Sequence, residues 1–398
     1  IFLGGLQGIS SEYYEAAQID SASKWQQFRK ITLPLLSPTT FYALIITIIN
    51  SFQVFDQIWI MTAGEPTADL VPVMVTEIYK NSFQYQKMGY ATALSWILFA
   101  IIIGVTIFQN VMQKKWVHYE YGEEERIMTR NKKIIVYILL ALGAFIMIVP
   151  FGWMLIVAFT KPDITYQMTL ENIISSLSLN NFRTLFSEYN MPRYVLNSVI
   201  VSVISTAGQI LLCAMSGFVF ARIDFKHKEK IFILYLATMM IPVQATVIPQ
   251  YILINKMGLI NTYVGLFLPG IFNAFGTFLM RQYFMGIPKA LEEAACLDGA
   301  GYVRIFFQIM LPLAKTGIAV LAVTSFMGAW NDFLWPLLVA SDEAHTTLPL
   351  FLSQLQGRWY VDWSVLMGAT LISVLPILAV YLFAQKYFIE GVQNTGIK

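Results

Sequence analysis

The chain has 398 residues, 57% of them hydrophobic and only 13% charged, with a formal net charge of +2. Soluble globular domains carry roughly a quarter charged residues, so this composition excludes an ordinary soluble domain and points to the membrane. No basic tract supports nucleic-acid binding, and two cysteines with three scattered histidines offer neither a disulfide framework nor metal-ligand spacing.

A membrane-crossing helix needs about 20 mostly apolar residues. The opening residues, 1–6, read as the tail of a membrane helix with no signal peptide, so the first half is expected to lack its N-terminal helices. Residues 31–55 and 88–113 contain no Asp, Glu, Lys or Arg and are each long enough to cross. Further on, 134–160, 194–221, 231–255, 257–280, 316–339 and 363–385 qualify, the fifth with Asp332 near its outer end, for about eight spans in all.

Lys114, Lys115, Arg126, Arg130, Lys132 and Lys133 crowd the link between the halves, and Arg222, Lys226, Lys228 and Lys230 crowd one later loop. Placing both clusters in the cytoplasm sends 62–87, 161–193 and 341–362 outside and leaves the C-terminus inside. The expected organisation is a first domain over 1–113, a cytoplasmic linker or gene junction over 114–132, and a second domain over 133–398. The linker carries the solvated run Gly122-Glu-Glu-Glu-Arg126. Prolines at 150, 242, 249, 269, 336 and 376 imply kinked helices.

The most informative stretch occurs twice. From Glu15 the chain reads Glu-Ala-Ala-Gln-Ile-Asp-Ser-Ala, then Phe28, Ile31, Leu33 and Pro34. From Glu293, 278 residues on and without a gap, it reads Glu-Ala-Ala-Cys-Leu-Asp-Gly-Ala, then Phe306, Ile309, Leu311 and Pro312. Each copy is a short polar helix ahead of an apolar run. Glu15 and Glu293 lie near a helix N-terminus, where the macrodipole favours a carboxylate, and Ser21 or Gly299 follows as a helix-ending residue. An ordinary interfacial helix is the alternative for a single copy, but two copies in one register argue against it. By the topology above, both copies face the cytoplasm.

This repeated element resembles the EAA loop of the permease subunits of ABC importers. Residues 133–398 resemble the smaller permease of carbohydrate importers of the maltose or multiple-sugar type, including Asn331-Asp332 and the run Met367-Gly-Ala-Thr370. Residues 1–113 resemble the C-terminal part of the partner permease, with Phe52-Gln-Val-Phe-Asp56 and Met61-Thr-Ala-Gly64. The chain thus reads as part of one permease joined to a nearly complete second one, by natural fusion or by an artefact of gene calling. Ser21 departs from the glycine usual in the family and found at Gly299.

The resemblance implies an all-α, polytopic permease fold in the cell membrane, with cytoplasmic coupling helices. It implies a heterodimer of permeases, ABC ATPase subunits and an extracellular or periplasmic sugar-binding protein. The ATPase-coupling residues expected from it are Glu15, Ala16, Ala17, Asp20 and Ser21 in one copy, and Glu293, Ala294, Ala295, Asp298 and Gly299 in the other. The chain carries no Gly-x-x-x-x-Gly-Lys-Ser/Thr phosphate loop, so ATP hydrolysis is assigned to a separate subunit, with no cofactor, no metal and no catalytic residue expected here.

Thr47, Asn50, Ser51 and Gln53 cluster beside Phe52 and Phe55 in one apolar run. Polar groups at such depth are costly unless they face the bundle interior, so they are candidates for the substrate path, with interhelical hydrogen bonding as the alternative. The expected function is uptake of a di- or oligosaccharide by alternating access. The rivals are a permease for glycerol phosphate or another polyol derivative, an ion-coupled secondary transporter, and a membrane-embedded sugar transferase. An ion-coupled carrier wants carboxylates near the midplane, and Asp56 and Asp332 sit near the outer edge.

Overall fold

The computed structural model describes residues 6, 9, 12–19, 22–62, 73–116, 130–161, 176–241, 243–355 and 362–394. Among these the protein is all-α, and the one strand-like feature is an isolated antiparallel bridge between Thr160 and Leu177. The chain forms two compact units, Ile1–Phe55 with Thr67–Val149, and Asp56–Pro66 with Pro150–Lys398.

The first unit contains α1 (Glu12–Ile19), α2 (Lys24–Gln27), a π turn over Phe28–Thr32, α3 (Leu33–Leu35) and α4 (Ser37–Phe52). The short α5 (Asp56–Met61) belongs to the second unit. In the first unit, α6 (Met74–Tyr79) runs through a second π turn, Lys80–Gln84, towards α7 (Met88–Trp116). Helix α7 packs on α4 and α6, and Phe41, Phe55, Ile78, Leu98 and Ile102 are buried there. The division between the units falls within α8 (Arg130–Ala158), where residues 141–151 are all exposed, as a lipid-facing apolar helix is.

The second unit is built around α10 (Met191–Arg222), preceded by α9 (Asn180–Ser187) and followed by α11 (Lys228–Ala237), α12 (Val243–Lys256), α13 (Tyr263–Phe267) and α14 (Ala274–Gly286). Next come α15 (Ala290–Leu297), α16 (Tyr302–Ile305), a π turn over Phe306–Met310, α17 (Leu311–Leu313), α18 (Lys315–Trp330) and α19 (Leu334–Val339). Helices α20 (Leu348–Gln354) and α21 (Trp363–Asn394) complete it. Helix α10 packs against α14 and α18, and α18 against α21. One core gathers Cys213, Phe218, Met280, Phe284, Phe306 and Leu321, and a second gathers Leu185, Tyr194, Trp330, Leu348 and Phe351.

Four helical stretches are long and apolar enough to cross a membrane: Met88–Gln109, Ala141–Ala158, Met191–Arg222 and Trp363–Gln385. Two bent pairs bring the number to six among the described residues, Tyr263–Ile271 with Ala274–Gly286 at 48° and Tyr302–Leu313 with Lys315–Trp330 at 79°. Several of the eight stretches expected to span are interrupted in the structure rather than continuous helices. Residues 31–55 begin in a π turn and short α3, leaving only the 16 residues of α4 as one helix. Residues 231–255 break after α11, where a 3-10 turn leads into Ile241 at φ −78°, ψ 118°. Ile241 precedes Pro242, and a residue before proline is pushed out of the helical region. The stretch 257–280 breaks where Asn273, in extended conformation, caps α14 by accepting the Gly276 N–H at 3.1 Å.

Candidate functional site

The sequence repeat is also a structural repeat. Helices α1, α2, α3, α4 and α5 and the π turn at Phe28 recur as α15, α16, α17, α18 and α19 and the π turn at Phe306, each bounded by residues 278 positions on. The π turns arise at matching prolines. Pro34 and Pro312 lack the N–H that would bond four residues back, and their rings crowd that carbonyl. The chain widens instead, so Leu33 N–H donates to the Phe28 carbonyl and Leu311 N–H to the Phe306 carbonyl, five residues back.

Helix α15 is short, with Glu292 and Glu293 in its first turn, where the positive end of the macrodipole stabilises them. Its termination is a Schellman closure. Gly299 takes φ +79°, its N–H donates to Cys296 at 3.0 Å, and the Ala300 N–H donates to Ala295 at 2.9 Å. In the first copy the Ala22 N–H donates to Ala17 at 2.8 Å, the same bond at the matching positions. The Ser that replaces glycine therefore does not prevent this closing bond. Asp20 and Ser21 themselves lie outside the described residues.

The two faces of α15 have different environments. Ala295 is buried and joins the core that contains Phe218, Phe284, Phe306 and Met310. Glu293, Ala294 and Asp298 are exposed. Around them stand exposed apolar side chains, Leu297 at 90%, Val303 at 73% and Tyr302 at 62%. In the first copy Glu15 and Ala16 are exposed and Ala17 half-buried, and Trp25, which matches Val303, is 69% exposed. Each copy thus presents apolar side chains beside exposed carboxylates.

The sequence places Arg222 among the cations of a loop, whereas in the structure it is the last residue of α10 and its side chain is buried. Its side chain is 3% exposed and lies 2.6 Å from the Glu292 carboxylate, while its guanidinium also donates to the Phe284 and Ile287 carbonyls. Nearby, Arg281 pairs with Glu229 at 2.7 Å, donates to the Phe220 carbonyl and stacks over Phe232 at 4.1 Å.

Of the substrate-path candidates, Thr47, Asn50 and Ser51 are exposed near the end of α4, and the Ser51 hydroxyl donates to the Thr47 carbonyl at 2.8 Å. Gln53 is half-buried at the C-cap of α4. The position matching Thr47 in the second copy is Ser325, which is buried and donates to Gln209 at 2.7 Å. Sequence reasoning missed the polar knot to which it belongs. Gln209 donates to the Gly270 carbonyl at 2.7 Å and accepts from Asn273 at 3.0 Å, tying α10, α14 and α18 together. The only sequence signal was a lone glutamine within a long apolar run.

The model of the family described as binding-protein-dependent transport system inner membrane component matches residues 1–118 and again 209–393. The arabinooligosaccharides transport system permease protein AraQ of Halalkalibacterium halodurans is 36% identical over 225 residues, 56% of this chain and 81% of the relative. The lactose transport system permease protein LacG of Rhizobium radiobacter is 32% identical over 66% of this chain and 95% of its own length. The sn-glycerol-3-phosphate transport system permease protein UgpE of Pectobacterium atrosepticum is 35% identical over 50% of this chain and 72% of the relative. A crystal structure of a bacterial ABC transporter that imports the acidic polysaccharide alginate superposes with a TM-score of 0.60 at 20% identity, covering 66% of this chain and all of the matched chain. That likeness supports the fold. With its membrane-spanning helices and these relatives, the chain belongs to the family of binding-protein-dependent transport system inner membrane components, the permeases of ABC importers, and is a multi-pass membrane protein.

Proposed function

We propose that the chain forms membrane-spanning parts of an ATP-driven importer for a di- or oligosaccharide, and that α1 and α15 are its coupling helices. A binding protein delivers the sugar outside, and ABC ATPase subunits dock on the cytoplasmic side, where the C-terminus also lies. Their closure moves α1 and α15, and the spans attached to them open and close the path. The observation that carries this reading is the division of α15, with Ala295 packed into the core while Glu293, Ala294 and Leu297 stay exposed. A helix so anchored transmits force from a partner to the bundle. Glu15, Asp20 and Ser21 are assigned the same role in the first copy, and Thr47, Asn50, Ser51 and Gln53 are assigned to the substrate path.

Relatives named for arabinooligosaccharides and lactose support a neutral sugar. Similarity to UgpE gives the second reading, a glycerol phosphate. An anionic substrate wants an available buried cation, and Arg222 and Arg281 are both engaged by carboxylates and backbone carbonyls. This favours the neutral sugar.

The test is capture of a sugar-importer ATPase by the full chain in detergent, with Glu293→Ala and Asp298→Ala alongside. Capture by the parent that weakens in both variants supports coupling. A folded, membrane-inserted parent that captures no such ATPase would falsify it. Uptake assays with radiolabelled disaccharide against labelled glycerol phosphate then separate the two substrates.

A further inference from the structure

Arg222 is the last residue of α10, where a cation normally reaches for water, yet its side chain is 3% exposed. A buried guanidinium is costly unless it is paired with an opposite charge. Here the Phe284 and Ile287 carbonyls, at the C-terminal end of α14, accept from it on one side. They also carry the negative end of that helix's dipole. On the other side Glu292, in the first turn of α15, places Oε1 2.6 Å from Nε, a close ion pair without an aligned hydrogen bond, and its own side chain is 17% exposed. One side chain therefore joins the end of a membrane span, the end of α14 and the start of the short helix that carries Glu293.

We propose that Arg222 is a positioning residue for energy coupling, fastening α15 to α10 and α14 through Glu292 so that displacement of α15 moves both helices. This rests on the coupling reading above. The neighbouring Arg281 stiffens the same end of the bundle but pairs with Glu229, whose side chain is 63% exposed, and not with α15. The first copy has a local contact at the matching position. The residue matching Glu292 is Tyr14, whose hydroxyl shares a 2.6 Å hydrogen bond with Thr32 of the π turn that follows.

The test uses the full chain in nanodiscs, with a nitroxide spin label on Cys296, which is exposed one turn beyond Glu292, while Cys213 is buried. Two variants are compared with the parent. Glu292→Gln keeps shape and removes the charge. Arg222→Met with Glu292→Leu removes both charges and leaves no unpaired ion, a change that folded proteins often tolerate. Both should add a faster-moving component to the spectrum, with circular dichroism unchanged. A spectrum identical to the parent in both variants overturns the fastening. With an ATPase that the parent captures, Glu292→Gln should retain capture while substrate moved per ATP hydrolysed falls by at least about tenfold. An unchanged ratio overturns the coupling role. If the parent captures no ATPase, the function on which that role rests is overturned, and the spectra still decide the fastening by themselves.

Discussion

Gly217 of α10 lies against Met280 of α14 with no room for a side chain between them. A Cβ built on Gly217 would stand 2.7 Å from the Met280 Cβ and 2.8 Å from the Arg281 backbone nitrogen. Those atoms belong to the backbone or its first carbon, so no flexible chain end yields, and overpacking of this kind costs about 1–3 kcal/mol. Gly217→Ala should lower the thermal unfolding midpoint in detergent, and Gly217→Val should lower it further. Gly104, with nothing within 4 Å of its Cβ position, is the control and should accept alanine without loss. Equal midpoints for the two alanine variants would remove the close approach as an explanation.

The adjacent alanines of α15 should separate folding from docking. Ala295 is in the core and Ala294 is exposed. Ala295→Leu overpacks the core that also holds Phe306 and Met310 and should cost about 1–3 kcal/mol of stability. Ala294→Leu should leave the unfolding midpoint where it is and reduce ATPase capture. If both variants behave alike in both assays, the helix does not divide its faces as described.

Gly299→Ala places a Cβ in the left-handed region, which costs roughly 1–2 kcal/mol for an L-residue. The amides of Gly299 and Ala300, which donate into α15, should then exchange faster with deuterium than in the parent. Protection that survives the substitution would mean that the closure does not depend on the glycine.

The Tyr14–Thr32 bond and the Arg222–Glu292 pair predict unlike sensitivities. Tyr14→Phe deletes the hydroxyl that bonds Thr32, a loss of about 1 kcal/mol. Glu292→Gln leaves the buried Arg222 without its counter-charge, and breaking a buried pair costs about 3–5 kcal/mol. Paired unfolding measurements should show the second effect as the larger. The reverse order would mean that the ion pair contributes less than a single neutral hydrogen bond.

The sequence carried the repeat in plain view, because Glu15 and Glu293, Phe28 and Phe306, and Pro34 and Pro312 share one offset, and the elements between them keep it. The all-α class followed from long uncharged runs. Prolines announced kinks in those runs, but not that a kink would end a helix. Met239, Met240 and Ile241 are as apolar as their neighbours, so a hydropathy window passes over the turn that Pro242 imposes. Arg222 was misjudged for a related reason. A cation at the end of an apolar run looks like a loop residue until the carbonyls of a distant helix end and an acid 70 positions on are brought to it. Long-range polar pairing leaves no periodic trace in the chain.

The π turns at Phe28 and Phe306 each hold one residue more than an α-helical turn requires, between a surface helix and the helix that follows. Giving up that wide hydrogen bond for an ordinary one would add a residue to the regular spiral. The segment beyond would turn by on the order of 100° and shift by about 1.5 Å. The proline that follows each π turn keeps the chain wide there, so that screw step is held rather than free. Each following helix is thereby set on the order of 100° round from where an unbroken α-helix would carry it.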